Sequence, residues 1–157
     1  MVHRSVIKPS LTHLGTGRSA IVLRVDRFVT APPVSISTGK YILVVATDGA
    51  ISDFTEKHAR AWIDAGAAYV CAWGISADEI EEAFDYASFL PEVGPPLSYT
   101  LVTTSHVKET LEKALWFAFY CAEPPDELHH DLNTVVIVVD STALESWCLK
   151  WVQTNRE

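Results

Sequence analysis

Cysteine is scarce in this chain, and the scarcity limits how the fold can be stabilised. The 157 residues include three cysteines, an odd number that argues against a disulfide framework. Cys71 lies inside an apolar run, and Cys121 and Cys148 fall on the apolar sides of predicted helices, where a free thiol acts as a small hydrophobic group. Such thiols are typical of a reducing compartment, so we expect a cytoplasmic protein.

Long apolar runs are also missing. No run approaches the roughly 20 residues of a membrane span, and no apolar stretch of signal-peptide length follows the N-terminal residues. We therefore expect no membrane association. Residues 1–18 contain Pro9, Gly15 and Gly17 without a hydrophobic period, which predicts an irregular basic arm before a single α/β domain over residues 19–157.

Several signatures of catalysis are absent. No glycine-rich dinucleotide fingerprint follows any predicted strand, and neither a Walker-type loop nor a Gly-x-Ser-x-Gly elbow occurs. The sequence therefore predicts no nucleotide cofactor and, unless a divalent cation takes part, no cofactor of any kind.

Basic side chains are few and unevenly placed. The chain carries 12 Lys and Arg against 20 Asp and Glu, a formal net charge of −8. Residues 1–40 hold six basic side chains and one acidic side chain, whereas residues 41–157 hold six basic and nineteen acidic side chains. An acidic body repels phosphates, so general nucleic-acid binding is not expected. The basic segment either lies across its own acidic body, the interpretation that we favour, or meets a partner.

What the sequence does contain is a fourfold alternation of buried strands and amphipathic helices. Short runs rich in Val, Ile, Leu and Tyr occupy residues 41–47, 68–73, 98–103 and 134–140, and a segment of helical length follows each one. This order predicts a three-layer α/β sandwich with a mainly parallel, doubly wound sheet of the flavodoxin or Rossmann kind. Because Pro32 and Pro33 exclude a crossover helix after Ser19–Val25, we expect that strand at the sheet edge, where it is free to run antiparallel.

Helix starts are marked by capping residues. Asp53 and Ser76 each stand three residues before a Glu, the pattern of a capping box. We expect the third helix to begin near Ser105 or His106 and to end near Cys121, and the last helix to follow Ser141.

The strand ends carry a polar cluster. In an open parallel sheet, ligands bind beyond the carboxyl ends of the strands, where Trp73 and Gly74 also lie. Two carboxylates with hydroxyls are suited to Mg²⁺, and helix N-termini are suited to phosphate. The same residue types cap helices, and that explanation stays open. The catalytic candidates are Asp48, His106 and Asp140, and the ligand-binding candidates are Thr47, Ser52, Asp53, Thr103, Thr104, Ser105 and Ser141.

His106 combines two interpretations. At a helix start, the positive end of the helix dipole favours a neutral imidazole that can act as a base. A histidine that only caps or packs is the alternative.

The segment from Thr103 to His106, followed by Ala114, Leu115, Trp116 and Phe117, resembles a pattern in a family of small, uncharacterised bacterial α/β proteins. In that family a Thr-Thr-x-His turn precedes a helix carrying Ala-Leu-Trp-Phe, with an aromatic residue where this chain has Ser105. The resemblance covers about a fifth of the chain and implies an α/β fold and a bacterial origin, but no activity. It singles out Thr103, Thr104 and His106.

Tryptophan is abundant, with five residues in the chain. Trp147 and Trp151 lie one turn apart in the last predicted helix and cover one patch, which is either core or an interface for a protein partner or a second copy.

Two classes of function follow. The first is a non-catalytic binding or protein-interaction domain, supported by the missing catalytic motifs and the tryptophan-rich last helix. The second is a small metal-assisted hydrolase or transferase for a phosphorylated or nucleotide-like substrate, supported by the strand-end cluster. We favour the first.

Overall fold

The chain folds as an α/β sandwich of three layers. A computed structural model describes residues 2–6, 17–29, 31–33, 36, 39–128 and 132–155. The strands are β1 (Val2–Val6), β2 (Ser19–Val25), β3 (Tyr41–Ala46), β4 (Ala67–Trp73), β5 (Val102–His106) and β6 (Thr134–Val139). The helices are α1 (Glu56–Asp64), α2 (Ala77–Phe89), α3 (Leu111–Tyr120) and α4 (Thr142–Asn155). The predicted fold class is confirmed.

The strands form one sheet in the order β1-β2-β6-β3-β4-β5. All strands from β2 to β5 in this order run parallel, and β1 pairs antiparallel with β2. The expectation that Ser19–Val25 forms the edge is wrong, because this strand lies between β1 and β6 and is parallel to β6. The antiparallel edge strand is Val2–Val6, inside the segment that we expected to be irregular. The paired prolines exclude a crossover helix after β2. They do not prevent a connection without a helix from β2 to β3, which leaves room for β6 between these two strands.

Each face of the sheet carries two helices over its own core. On one face, α1 and α2 pack their buried sides, including Trp62, Ile63 and Phe84, against strand residues such as Leu43 and Val45. On the opposite face, α3 and α4 bury residues of their own against the alternate strand positions. Successive side chains of a strand point to opposite faces of the sheet, so each central strand contributes residues to both cores. Both sets of side chains must therefore be apolar, which explains the continuous apolar runs in the sequence. Within the described part of the chain, no helix combines the length and apolar character that crossing a bilayer requires.

The third strand and third helix differ from their predicted positions. Strand β5 begins at Val102 rather than residue 98, and His106 is its last residue. Helix α3 begins at Leu111 after Thr110, whose hydroxyl accepts a hydrogen bond from the backbone N–H of Lys113 at 3.2 Å. As an edge strand that is only half-buried along most of its length, β5 accommodates polar β-branched residues that a central strand would not. His106 therefore does not lie at a helix start.

The basic segment folds onto its own domain. Arg18 is buried, and its guanidinium donates hydrogen bonds to the carbonyl oxygens of Leu132 at 2.9 Å and of Ala118 at 3.0 Å. This guanidinium holds the C-terminal end of α3, where carbonyl groups lack helical partners. Three further basic side chains of the segment also contact the domain: Arg24 pairs with Glu145, Arg27 with Asp53, and Lys40 lies over the Tyr99 ring. The intramolecular interpretation holds for these four residues.

The connections place a crevice at the carboxyl edge of the sheet. Neighbouring strands β3 and β6 lead into α1 and α4, which lie on opposite faces. Where adjacent strands send their chains to opposite faces, the loops diverge and leave a space suited to a ligand.

Candidate functional site

Asp48 and Asp140 meet at the crevice between β3 and β6. The backbone N–H of Asp48 donates a hydrogen bond to Oδ1 of Asp140 at 2.8 Å. Partial burial raises the pKa of the Asp140 carboxyl above its ordinary value, and the nearby Asp48 charge adds a smaller contribution in the same direction. The structure therefore brings together two of the three catalytic candidates, with one oxygen of Asp140 engaged by the loop after β3.

The third candidate, His106, lies elsewhere. Its side chain is enclosed, with 4% of the residue exposed, and its ring packs on Phe117 at 5.1 Å between centroids. Its Nε2 lies 2.9 Å from the hydroxyl oxygen of Thr104. Its Nδ1 lies 3.2 Å from a carboxylate oxygen of Glu109, but out of line for a hydrogen bond. These contacts fit the packing interpretation of His106 and do not involve Asp48 or Asp140.

The hydroxyls of β5 are also engaged in internal contacts. Thr103 donates a hydrogen bond to Asp85 of α2 at 2.6 Å, and Ser105 donates one to Asp78 of the same helix. Both bonds tie the edge strand to the acidic helix. Together with Thr104 and His106, every polar side chain of the Thr-Thr-Ser-His segment has a structural partner.

Two of the four remaining ligand-binding candidates, Asp53 and Ser141, stabilise a loop or a helix end. Asp53 pairs with Arg27, which lowers the pKa of the Asp53 carboxyl, and Thr55 rather than Asp53 occupies the N-cap of α1. Ser141 accepts a hydrogen bond from the backbone N–H of Leu144 at 3.1 Å and so caps α4. Ser52 is exposed in the loop after β3 and lines a shallow pocket beside Asp140.

Thr47 is the exception among the hydroxyls. It is 2% exposed, and its Oγ1 has no hydrogen-bond partner among the described residues. Gly74 lies against it with φ +117°, and a Cβ at Gly74 would stand 2.4 Å from that oxygen. Only glycine fits there without strain.

The two interface candidates separate. Trp151 is 8% exposed and packs on Phe119, with ring centroids 5.8 Å apart, so its side chain is part of the core. Trp147 is 39% exposed. The two indoles therefore do not form one exposed patch.

Trp147 lines a cleft that we call the tryptophan cleft. Its volume is about 520 Å³, and it lies between the end of β4 and the first turns of α3 and α4. The lining residues are Asp48, Trp73, Thr110, Leu111, Glu112, Ala143, Leu144 and Trp147. The indole N–H of Trp73 donates to the carbonyl oxygen of Glu109 at 2.8 Å, which fixes the ring in place. Sequence reasoning places Trp73 at this edge without assigning it a role, and it misses Glu112.

A second hollow adjoins the tryptophan cleft. Its volume is about 410 Å³, and it shares Asp48 and Trp73 with the first. Exposed Ile75 and Val107 stand at its rim. An aromatic and aliphatic surface thus runs across the carboxyl edge on both sides of Trp73.

The donor set for a metal is thin. Within the described residues, no three His, Cys, Asp or Glu side chains are grouped so that they could hold a metal ion. Asp48 and Asp140 are the only pair of predicted carboxylate ligands that the described structure brings together, and Asp140 already accepts the Asp48 N–H.

Comparison with known proteins gives a family but no activity. No curated protein and no solved structure matches the chain. The domain of unknown function DUF7684 matches residues 20–154, which run from the second residue of β2 to the next-to-last residue of α4. The chain therefore belongs to the DUF7684 family.

Proposed function

We propose that this protein is a non-catalytic binding domain whose ligand occupies the tryptophan cleft. The observation that carries the proposal is the cleft itself, at the carboxyl edge of a parallel sheet, where ligands of this fold class bind. Its volume of about 520 Å³ falls in the range of small-molecule sites, and two indoles with a few polar groups are the usual lining of such sites.

The contacts of the catalytic candidates support binding rather than catalysis. A general base needs access to the proton that it removes, and His106 is enclosed by its own neighbours. The hydroxyls of β5 and Ser141 donate or accept bonds that hold the fold. The cleft is lined by the carboxylates of Asp48 and Glu112 and by two indoles, groups that recognise a ligand more readily than they transform one.

The setting that we propose is cytoplasmic, in a bacterial cell, as the resemblance of the Thr-Thr-x-His segment implies. Burial raises the pKa of the Cys71 and Cys148 thiols to about 12, so both are protonated and inert at neutral pH.

A protein partner or a second copy of the chain is an alternative ligand in this proposal. Its point of contact is Trp147, which lines the cleft and is 39% exposed.

A fragment screen followed by indole resonances in ¹H–¹⁵N spectra tests the proposal. The chain offers five indole N–H signals, and we expect hits to shift those of Trp73 and Trp147 while Trp62, Trp116 and Trp151 stay in place. Phenylalanine substitutions assign the five signals. Hits that map instead to the groove between Phe89 and Leu101 at the other end of β5 would overturn the proposal.

A metal-assisted hydrolase or transferase for a phosphorylated or nucleotide-like substrate is the second candidate, favoured by the meeting of Asp48 and Asp140. If Mg²⁺ binds there, it raises the melting temperature by mass action, and Asp48→Asn with Asp140→Asn removes that rise. A melting temperature that Mg²⁺ and nucleotides leave unchanged in the unsubstituted protein would reject this candidate.

A further inference from the structure

We propose that the ligand of the tryptophan cleft is a small organic cation, a substituted ammonium held between indole faces and carboxylates. This inference rests on the proposed binding function and names its ligand class.

The lining of the cleft carries charge of one sign only. Asp48 contributes a carboxylate from the loop after β3, and Glu112 contributes another from the first turn of α3. No Lys, Arg or His is among the lining residues. The described basic side chains of the N-terminal segment are engaged elsewhere, Arg24 with Glu145 and Arg27 with Asp53. A cation entering the cleft therefore meets two carboxylates and no competing positive side chain.

Two indoles provide the complementary surface. Trp73 and Trp147 both line the cleft, and tryptophan is the side chain whose face attracts cations most strongly. The bond from the Trp73 indole to the Glu109 carbonyl holds that ring before any ligand arrives, which lowers the entropy cost of binding. Leu111 and Leu144 supply apolar contact for alkyl groups on the cation.

The N-termini of α3 and α4 lie beside the cleft, and their partial positive charge disfavours a cation. Capping hydroxyls and acidic side chains offset part of that charge. The first turn of α3 carries Glu112, and Thr110 already accepts one of its free N–H groups. At α4, Ser141 accepts the N–H of Leu144, and Glu145 stands in the first turn. Residues 41–157 carry nineteen acids against six basic groups, so the surrounding field also favours a cation over an anion.

Three probes of one shape test the inference: choline, the neutral 3,3-dimethylbutan-1-ol and the anionic 3,3-dimethylbutanoate. Titration of the full chain, followed by the Trp73 and Trp147 indole signals, gives a dissociation constant for each. We expect choline to bind at least about tenfold more tightly than the neutral alcohol, with no shift from the anion. Added salt should weaken choline binding and leave the alcohol unaffected.

Matched variants locate the effect. Trp147→Ala should weaken choline binding about fivefold or more, whereas Trp116→Ala, at an exposed tryptophan outside the cleft, should not change it. Asp48→Asn and Glu112→Gln should each weaken choline binding. The control Glu79→Gln, which removes the same charge from an exposed position of α2, should leave choline binding unchanged.

The outcomes separate this inference from the proposed function. If choline and the alcohol bind with equal affinity, or if the anion binds more tightly, the proposal of a cationic ligand is rejected. The proposal that the cleft binds a ligand is kept. If no probe shifts either indole while library fragments do, the ligand class is wrong and the binding domain stands. If neither probes nor fragments shift them, both proposals fail.

Discussion

The end of β5 and the tryptophan cleft both lie at the carboxyl edge of the sheet, yet they use their polar groups in opposite ways. At the end of β5, every polar side chain from Thr103 to His106 is bonded or packed within the fold. In the cleft, Asp48 is exposed, and the side chains of Trp73 and Trp147 line open space. The comparison separates polar side chains that the fold itself uses from side chains that remain available to a ligand under the proposed function.

The difference has a physical origin in burial. A hydroxyl that loses water on folding costs free energy unless it finds a partner inside the protein, and the half-buried hydroxyls of Thr103 and Ser105 have such partners in α2. An exposed carboxylate pays no such cost and stays available to a ligand. Substitutions at the two regions should therefore separate stability from binding.

The largest effect should come from the backbone beside the cleft. Gly74→Ala should destabilise the fold by about 3 kcal/mol or more, because φ is +117° there and the new Cβ would overlap Thr47. Chemical denaturation measures the change. Gly49→Ala is the control, since no atom lies within 4 Å of its added Cβ, and equal losses in the two variants would contradict this account of Gly74.

A sharper test sets His106 against Trp147. His106→Ala should cost about 2 to 3 kcal/mol of stability, because it leaves a cavity beside Phe117, and it should not alter choline affinity at a temperature where the variant is folded. Trp147→Ala should cost less stability than His106→Ala, because part of the indole is already exposed, but it should weaken binding. Denaturation and choline titration of both variants measure the two effects. If His106→Ala weakened binding and Trp147→Ala only lowered stability, the comparison would be wrong.

The sequence predicted the central strands better than the edges. Strands β3, β4 and β6 lie within one residue of their predicted limits, because central parallel strands are apolar throughout. The sequence prediction starts β5 four residues too early, because the run before Val102 is more apolar than the strand itself, and pairing of Val102 to His106 with β4 decides the position. The sequence does not predict the strand Val2–Val6, because its residues have no sustained apolar period.

The candidate site was predicted in part. The meeting of Asp48 and Asp140 follows from parallel strands whose ends share an edge, a rule that needs no side-chain detail. The role of Trp151 in the core, and the opening at Trp147 one turn earlier, depend on how α4 packs against Phe119. Helical spacing shows which residues share a face but not where that face ends.

A smaller effect concerns the unpartnered hydroxyl of Thr47. Thr47→Val should stabilise the fold by about 1 kcal/mol, because a buried hydroxyl without a hydrogen bond costs free energy that a methyl group does not. Thermal and chemical denaturation should both register the gain. A loss of stability instead would mean that the hydroxyl has a partner in solution.

The smallest effect is a pH dependence at Asp140. Since its folded pKa is raised above 3.8, its charge weakens the fold as pH rises through the window between that value and the raised pKa. Asp140→Asn keeps an acceptor for the Asp48 N–H and removes the penalty. After solvent screening, the variant should gain about 0.5 kcal/mol or less at neutral pH, and the gain should vanish in acid. A gain that persists below the window would point to another cause.

A crystal structure of the protein soaked in choline tests the central claim most directly. We expect density for the trimethylammonium group between Trp73 and Trp147, within reach of the Asp48 and Glu112 carboxylates, with the residues of β5 unmoved. Density beside His106 or Asp140, or in the groove near Phe89, with the tryptophan cleft empty, would contradict it.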